Sequence, residues 1–285
     1  MKSIEGWGSG LLGVAIFSAS LPATRVAVAS FPPLFLTAAR ASIAAMLGGA
    51  LLLLLRQARP ARADLASLVI VAFGVVIGFP LLTALALQHI TSAHSIVFVG
   101  LLPLATAIFG VLRGAERPKP LFWLFSLMGS AAVGAFALSN DGTVSPTGDL
   151  LMIAAIVLCG LGYAEGAVLS RKLGGWQVIS WALLLASPFM LLLAAVTCPP
   201  SWQAIDTPAW LGLAYVSIFS MLVGFLFWYR GLAAGGIASV GQLQLLQPFL
   251  GLALAGLLLH EPVAWSMILA TGLVVVCVAL ARRYA

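Results

Sequence analysis

The sequence predicts an all-α polytopic membrane protein with ten transmembrane helices in two inverted five-helix repeats, both termini lying in the cytoplasm. Three observations lead to this fold class: the composition, the spacing of the apolar segments and the distribution of positive charge. Of the 285 residues 62% are hydrophobic and 8% are charged, and the mean hydropathy is +1.13. Soluble domains carry about 25% charged residues. This chain has too little polar surface to cover itself in water, so its solvent must be lipid.

Ten segments are apolar enough to cross a membrane as helices, which takes about 20 residues each. Hydrocarbon offers no hydrogen bonds, so each segment must satisfy its own backbone amides. Proline-containing stretches separate several of the segments, because proline cannot continue a helix across a boundary. The predicted spans are residues 7–28, 33–55, 65–87, 92–112, 121–139, 148–170, 177–198, 208–229, 238–259 and 263–282.

Positive charge orients the spans, because cytoplasmic loops carry an excess of lysine and arginine. With the N-terminus in the cytoplasm, twelve of the fourteen cationic residues fall on the cytoplasmic side. The outer regions contain no lysine or arginine but do contain Asp141, Asp149, Asp206 and Glu261, and Arg25 and Arg40 lie within spans. The twelve are Lys2, Arg56, Arg59, Arg62, Arg113, Arg117, Lys119, Arg171, Lys172, Arg230, Arg282 and Arg283.

A proline followed by a glutamate thirteen residues later occurs twice, at Pro103 and Glu116 and again 145 residues on at Pro248 and Glu261. Five spans is an odd number, so a second set of five enters the membrane from the opposite side. The pattern therefore predicts inverted repeats over residues 1–142 and 143–285, an architecture found in alternating-access transporters. We expect the two glutamates to cap the starts of spans 5 and 10, where a carboxylate satisfies free amides.

These features resemble the EamA-type exporters of the drug/metabolite transporter superfamily, and most closely those that export aromatic amino acids. The resemblance rests on the five-plus-five arrangement, on "PPLFLTAAR" ending at Arg40, and on "EPVAWSMILATG" from Glu261 to Gly272. The first repeat departs from it, because Gly129 follows Glu116 by thirteen residues rather than eleven. The resemblance implies a bacterial inner-membrane exporter with a central cavity lined by spans 1–4 and 6–9.

Charged residues inside spans are candidates for substrate contact, since a charge at mid-helix costs about 2.5–3.5 kcal/mol on insertion. Glu165 lies six residues before Arg171, about 9 Å below the cytoplasmic end of span 6. It either binds a substrate ammonium or a proton, or forms a structural ion pair. Arg40 and Arg25 could each attract a carboxylate, or could instead tie helices together or reach toward the interface.

Span 9 opens with three glutamines, Gln242, Gln244 and Gln247. At 100° per residue Gln244 and Gln247 share a face, and Gln242 points away from them. Amides near Pro248 suit a zwitterion, since each offers a donor and an acceptor. Hydrogen bonds between helices are the alternative.

His94 lies at the predicted outer mouth of span 4, where exposure is the default and a gate or pH-sensing role is the functional alternative. Among the aromatic residues, Tyr163, Tyr215 and Phe98 lie deep enough to wall an apolar cavity for a flat side chain, and packing between helices is the alternative for each. Trp228 and Tyr229 precede Arg230 and are predicted to form an interfacial belt.

The sequence thus predicts a secondary transporter, not an enzyme, that exports small amphipathic metabolites, amino acids including aromatic ones. A broad drug efflux protein is the alternative transporter, and an intramembrane lipid-modifying enzyme or scaffold is the alternative from another class. The chain lacks GxxxxGK[ST], which excludes a self-contained ATP-driven pump. We expect no cofactor, no metal site and no nucleic acid. The expected partners are a small-molecule substrate and membrane lipid, and the expected state is a monomer.

Overall fold

The computed structural model describes residues 2–114, 119–138, 145–235, 240–282 and 284. Within these residues every regular element is a helix, and seven helices are long and apolar enough to cross a membrane. Helices overlap all ten predicted spans. We number them Gly6–Val28 (α1), Pro33–Leu54 (α2), Arg62–Ala86 (α3), Ser92–Leu112 (α4), Pro120–Leu138 (α5), Pro146–Leu173 (α6), Gly175–Val196 (α7), Thr207–Leu232 (α8), Gln247–Leu259 (α9) and Trp265–Arg282 (α10).

Helix starts follow from local chemistry. Proline occupies the first or second position of α2, α6, α8 and α9, where its missing N–H has no helical partner to lose. The side chains of Thr91, Ser145 and Asp206 accept hydrogen bonds from backbone amides in the first turns of α4, α6 and α8. Between α6 and α7 the chain turns at Gly174, whose φ of +93° favours glycine.

The outer surface of the bundle is apolar. Large aliphatic side chains such as Leu53, Leu54 and Leu257 are 80%, 78% and 74% exposed. An apolar surface of this kind is stable in contact with lipid chains rather than with water. The surface therefore agrees with a protein that spans a membrane.

Helices from the first half of the chain pack mainly on helices from the second half. The principal pairs between the halves are α1 with α8, α2 with α7 and α8, α3 with α6 and α7, α4 with α6, α4 and α1 with α9, and α5 with α10. The described helices of the two halves therefore interleave.

Two helices contain π-helical segments at corresponding places. One covers Ala72–Gly78 in α3 and the other covers Tyr215–Val223 in α8. Adding the 145-residue offset of Pro103 and Pro248 to 72–78 gives 217–223, inside the second segment. Segments of this kind are rare and occur often at functional sites, because they rotate the side chains that follow.

Trp228 and Tyr229 do not form the predicted interfacial belt. They are 1% and 0% exposed, and Trp228 packs between Phe17 of α1 and Tyr163 of α6. Their position beside Arg230 suggested the interface, but α8 turns both rings into the bundle. That prediction was wrong.

The α3–α6 crossing depends on paired glycines. A Cβ atom added at Gly74 would lie 2.6 Å from the carbonyl oxygen of Leu158 and 2.9 Å from Cα of Gly162. Small residues allow such close approach of transmembrane helices. Because the obstacle is backbone, a larger residue would force α3 and α6 apart.

We therefore expect Gly74→Val to lower the apparent melting temperature of the purified protein in detergent. Forcing bulk into a tight interface costs about 1–3 kcal/mol. Gly272→Val is the matched control, since a Cβ there meets nothing within 4 Å. Fluorescence-detected thermal unfolding of both variants measures the difference, and equal melting temperatures would contradict the close crossing.

Candidate substrate-binding site

A small cavity with apolar walls and a few polar groups lies where the two halves of the chain meet. Seven helices line it: α1, α2, α3, α4, α6, α8 and α9. Its volume is about 30 Å³, room for one or two water molecules. The lining residues are Phe17, Ser20, Leu21, Arg40, Val75, Phe79, Pro80, Leu102, Cys159, Tyr163, Ser220, Phe225 and Gln247.

Arg40 supplies the only formal charge among those lining residues. The side chain is buried, with a relative exposure of 5%. Its Nη2 donates to Oγ of Ser220 at 3.3 Å, and its Nε has no partner. Among the described residues no carboxylate lies within 4 Å of the guanidinium. A buried charge is costly unless it is paired, so Arg40 lacks the partner that a purely structural arginine would have.

Two serines connect the guanidinium to the helices around it. Ser20 of α1 donates to Oγ of Ser220 at 2.8 Å, so Ser220 accepts from both Ser20 and Arg40. Ser220 lies in the π-helical segment of α8, and Phe79 directly follows the π-helical segment of α3. The two irregular segments thus bring both a polar group and an aromatic ring to the cavity.

Aromatic side chains form much of the remaining wall. The rings of Phe17 and Phe225 meet edge to face with centroids 5.1 Å apart, and Tyr163 packs against Phe225 at 5.9 Å. Such pairs hold ring positions and add about 0.5–1.5 kcal/mol each. Of the aromatic residues singled out in the sequence, Tyr163 lines the cavity. Tyr215 instead donates from its hydroxyl to the carbonyl of Ile16 at 2.8 Å, and it is not a lining residue.

Gln247 is the glutamine that reaches the cavity. It is 8% exposed, and its Oε1 has no hydrogen-bond partner. Gln244 is also buried, with Nε2 unpartnered, but it does not line the cavity. The side chain of Gln242 lies outside the part of the chain that the structure describes. Residues Gly241–Leu246 form a 3₁₀-helix, in which successive side chains are 120° apart. The angles calculated for an α-helix therefore do not hold here.

Glu165 lies away from the cavity. Its Oε1 accepts a hydrogen bond from Oγ of Ser67 at 2.5 Å, which links α6 to the start of α3. Two turns further along α6, Lys172 forms an ion pair with Asp64 at 2.6 Å. These contacts hold α3 and α6 together at the end of the bundle predicted to face the cytoplasm.

His94 is buried rather than exposed at the opposite end of the bundle. Its Nε2 lies 2.7 Å from Oδ1 of Asp149, which joins α4 to α6. The exposure expected for His94 was wrong, since its ring is 2% exposed and packs beside Phe98. Phe98 is fully buried in this packing and does not line the cavity.

Glu261 caps a different helix from the one predicted. Its carboxylate accepts hydrogen bonds from the backbone N–H groups of Ser92 and Ala93 and, at 2.7 Å, from Oγ of Ser92. The cap thus serves α4 in the other half of the chain, not the start of α10. Arg25 lies 3.9 Å from the same carboxylate and also donates to the carbonyl of Leu87. Glu116, the corresponding glutamate, lies outside the described residues.

Sequence reasoning missed Ser20, Ser220 and Phe225 as lining residues. Serines are common in membrane helices, and nothing in the local pattern distinguishes the two that meet at the cavity. The usable signal was the combination of Arg40 with the glutamine run, because both are polar groups that hydrocarbon disfavours. Within the described residues no group of three or more His, Cys, Asp or Glu side chains could hold a metal ion.

The buried guanidinium of Arg40 is expected to lower the stability of the folded protein, even if it is needed for substrate binding. Arg40→Met removes a buried cation and should raise the apparent melting temperature in detergent, because an apolar side chain of similar size needs no partner. For a protein of this size about 1 kcal/mol corresponds to about 2–4 °C. Arg25→Met is the matched control and should lower it, since Arg25 has two partners. A lower melting temperature for Arg40→Met would instead mean that the guanidinium chiefly ties α2 to α8.

Comparisons with known proteins assign the family. The sequence profile of the EamA-like transporter family matches residues 6–138 and again 146–283. The chain is 66% identical over 284 residues to "Uncharacterized transporter YdeK" of Bacillus subtilis (strain 168), covering 100% of this chain and 99% of that protein.

More distant similarities agree. "Uncharacterized inner membrane transporter YedA" of Escherichia coli (strain K12) is 26% identical over 204 residues, covering 70% of this chain and 65% of that protein. A crystal structure that is 21% identical covers 100% of both chains with a TM-score of 0.71, and so has the same fold. None of these names includes a substrate, and the family consists of transporters rather than enzymes. The chain therefore belongs to the EamA-like transporter family and is a membrane transporter.

Proposed function

We propose that the protein is a secondary transporter that exports small amphipathic metabolites, amino acids including aromatic ones, across the bacterial inner membrane by alternating access. The observation that carries this proposal is the buried guanidinium of Arg40, which has no carboxylate partner among the described residues and lies in a cavity with aromatic walls. A carboxylate is the natural partner for that group, and phenyl rings suit the walls. The same cation opposes lipophilic cations, which makes broad drug efflux the weaker candidate.

The proposed architecture is ten spans in two inverted repeats, residues 1–142 and 143–285, with cytoplasmic termini. The helix contacts support it, since exchanging each of α1–α5 with the matching helix of α6–α10 leaves the set of main pairs unchanged. The pair of α1 and α8 becomes that of α6 and α3, for example. The equivalent π-helical segments and the two matches to the family profile support it as well. Inverted repeats place the substrate site at their interface near the midplane.

Alternating access requires that the cavity open to one side at a time. In this conformation the ends of α1, α3, α4 and α6 predicted to face outside are joined through Arg25, Glu261, His94 and Asp149. The cavity is also too small for an amino acid. We infer that the transport cycle breaks the contact between Glu261 and the start of α4, which lets the outer ends separate, and a gating role for His94 belongs to this step. The proposed partners are the small-molecule substrate and membrane lipid, without nucleic acid, for a protein that works as a monomer.

Uptake of radiolabelled phenylalanine into proteoliposomes tests this function. We expect saturable uptake that excess tryptophan blocks and that protein-free liposomes lack. Imposing a pH gradient separates two mechanisms: accumulation against the concentration gradient indicates proton coupling, and indifference indicates a facilitative carrier. Absence of uptake under both conditions would refute the amino acid assignment.

Glu165→Gln decides whether the carboxylate of α6 takes part in transport. Because Glu165 does not line the cavity and a glutamine can still accept from Ser67, we expect counterflow to be retained with a modest loss of thermal stability. Paired measurements of phenylalanine counterflow and of melting temperature provide the test. Loss of counterflow at an unchanged melting temperature would instead establish Glu165 as a functional carboxylate.

A further inference from the structure

We propose that the cavity recognises the substrate head group in two unequal parts: Arg40 binds the carboxylate, and the side-chain carbonyl of Gln247 accepts from the ammonium. This inference rests on the proposed function and narrows it to a substrate class. The carboxylate is required and the ammonium contributes less. The expected ligands are thus α-amino acids with apolar side chains. The corresponding carboxylates that lack the amino group are expected to bind more weakly, and amines that lack a carboxylate are expected not to bind.

The requirement for a carboxylate follows from the charge of the site. Arginine carries five N–H donors, and Arg40 directs one to Ser220 while its Nε remains without a partner. None of the lining residues is acidic. Entry of a carboxylate would neutralise the buried guanidinium and form charge-assisted hydrogen bonds, which are about twice as strong as neutral ones. An amine alone would add a second positive charge to the same small space.

The weaker ammonium subsite follows from the chemistry of Gln247. This side chain is also more than nine-tenths buried, lines the same cavity, and has an unpartnered Oε1. An amide oxygen can accept from an ammonium but carries no formal charge. The gain from this contact is therefore smaller than the gain at Arg40. A zwitterion can bind both Arg40 and Gln247, whereas a carboxylate without the amino group leaves the side-chain carbonyl of Gln247 without a donor.

The apolar part of the substrate meets the rings of Phe17, Phe79 and Phe225. These rings and the head-group residues come from α1, α2, α3, α8 and α9, so the ligand would contact both halves of the chain at once. Since the cavity now holds only about 30 Å³, binding must accompany a widening of the bundle. A ligand that contacts both halves would favour the conformation in which the cavity is wide.

Ligand-dependent thermal unfolding of the purified full-length protein tests the proposal without relying on transport. Three probes of similar size separate the contribution of the carboxylate from that of the ammonium. They are phenylalanine, which has both groups, 3-phenylpropionate, which has only the carboxylate, and phenethylamine, which has only the ammonium. A ligand that binds the folded state stabilises it by RT ln(1 + L/Kd), where L is the free ligand concentration, so at equal ligand concentration the tighter ligand raises the melting temperature more. We expect phenethylamine to bind at least about 100-fold more weakly than phenylalanine. We expect 3-phenylpropionate to bind more weakly than phenylalanine by a factor of at most about 10.

Variants of Arg40 and Gln247 test which residue binds the carboxylate and which binds the ammonium. Arg40→Gln should abolish the shift with both carboxylates, and Arg40→Lys should restore part of it, since lysine keeps the charge but not the planar fork. Gln247→Leu should reduce phenylalanine binding to the level of 3-phenylpropionate or below it, because the ammonium then lacks an acceptor, and should leave 3-phenylpropionate binding unchanged. Arg171→Gln removes one positive charge at the exposed end of α6 and should bind as the wild type does. Each shift is measured against the unliganded melting temperature of the same variant.

The proposal is overturned if Arg40→Gln keeps the phenylalanine shift, if phenethylamine matches phenylalanine, or if none of the three probes shifts the wild type. Phenylalanine flux into proteoliposomes is measured separately from ligand binding, so that the head-group site and the proposed function can fail independently. Carboxylate binding that depends on Arg40, together with no phenylalanine flux, would support the head-group site and refute the proposed function. Phenylalanine flux with the same KM in the wild type and in Arg40→Gln would support the proposed function and refute the head-group site.

Discussion

The absence of water in the hydrocarbon of a membrane is the constraint on which this structure depends. Backbone amides must pair inside each segment, and the described regular structure is accordingly all helical. Three departures from the α-helix lie near the cavity: the π-helical segments of α3 and α8 adjoin it, and the 3₁₀-turn of Gly241–Leu246 leads to Gln247. Irregular backbone at membrane depth is thus associated with the polar groups that the cavity contains.

The same constraint makes Arg40 the most informative residue in the chain. The polar network at the end of the bundle predicted to face the cytoplasm pairs Asp64 with Lys172, and the network at the other end pairs His94 with Asp149. Arg40 has a serine as its partner and no carboxylate among the described residues. A charge left in this state lowers the stability of the folded protein, and under the proposed function an anionic substrate would remove that cost. The same lack of a carboxylate partner that makes burial of Arg40 costly would leave its guanidinium free to bind an anionic substrate.

Glu261 shows how one carboxylate connects the two halves of the chain. It follows α9, yet it satisfies the free amides at the start of α4 and lies near Arg25 of α1. A helix N-terminus attracts a carboxylate through its free N–H groups and its dipole. The attraction is local and directional, so a small separation of the helix ends would break it. Contacts of this kind can hold one end of a bundle closed without making that state permanent.

The sequence by itself determined that lipid surrounds the protein, that the fold is helical, approximately where the described helices lie, and that polar groups occur within them. These depend on local hydropathy and on proline, which act on neighbouring residues. Only the tertiary structure decided which polar groups meet. The α-helical phase that assigned faces to Gln244 and Gln247 fails across a 3₁₀-turn, and the π-helical segment of α8 precedes Trp228 and Tyr229, which turn inward. The helix that Glu261 caps, 169 residues away in the chain, was equally beyond local reasoning, because capping depends on which helix end lies nearby in space.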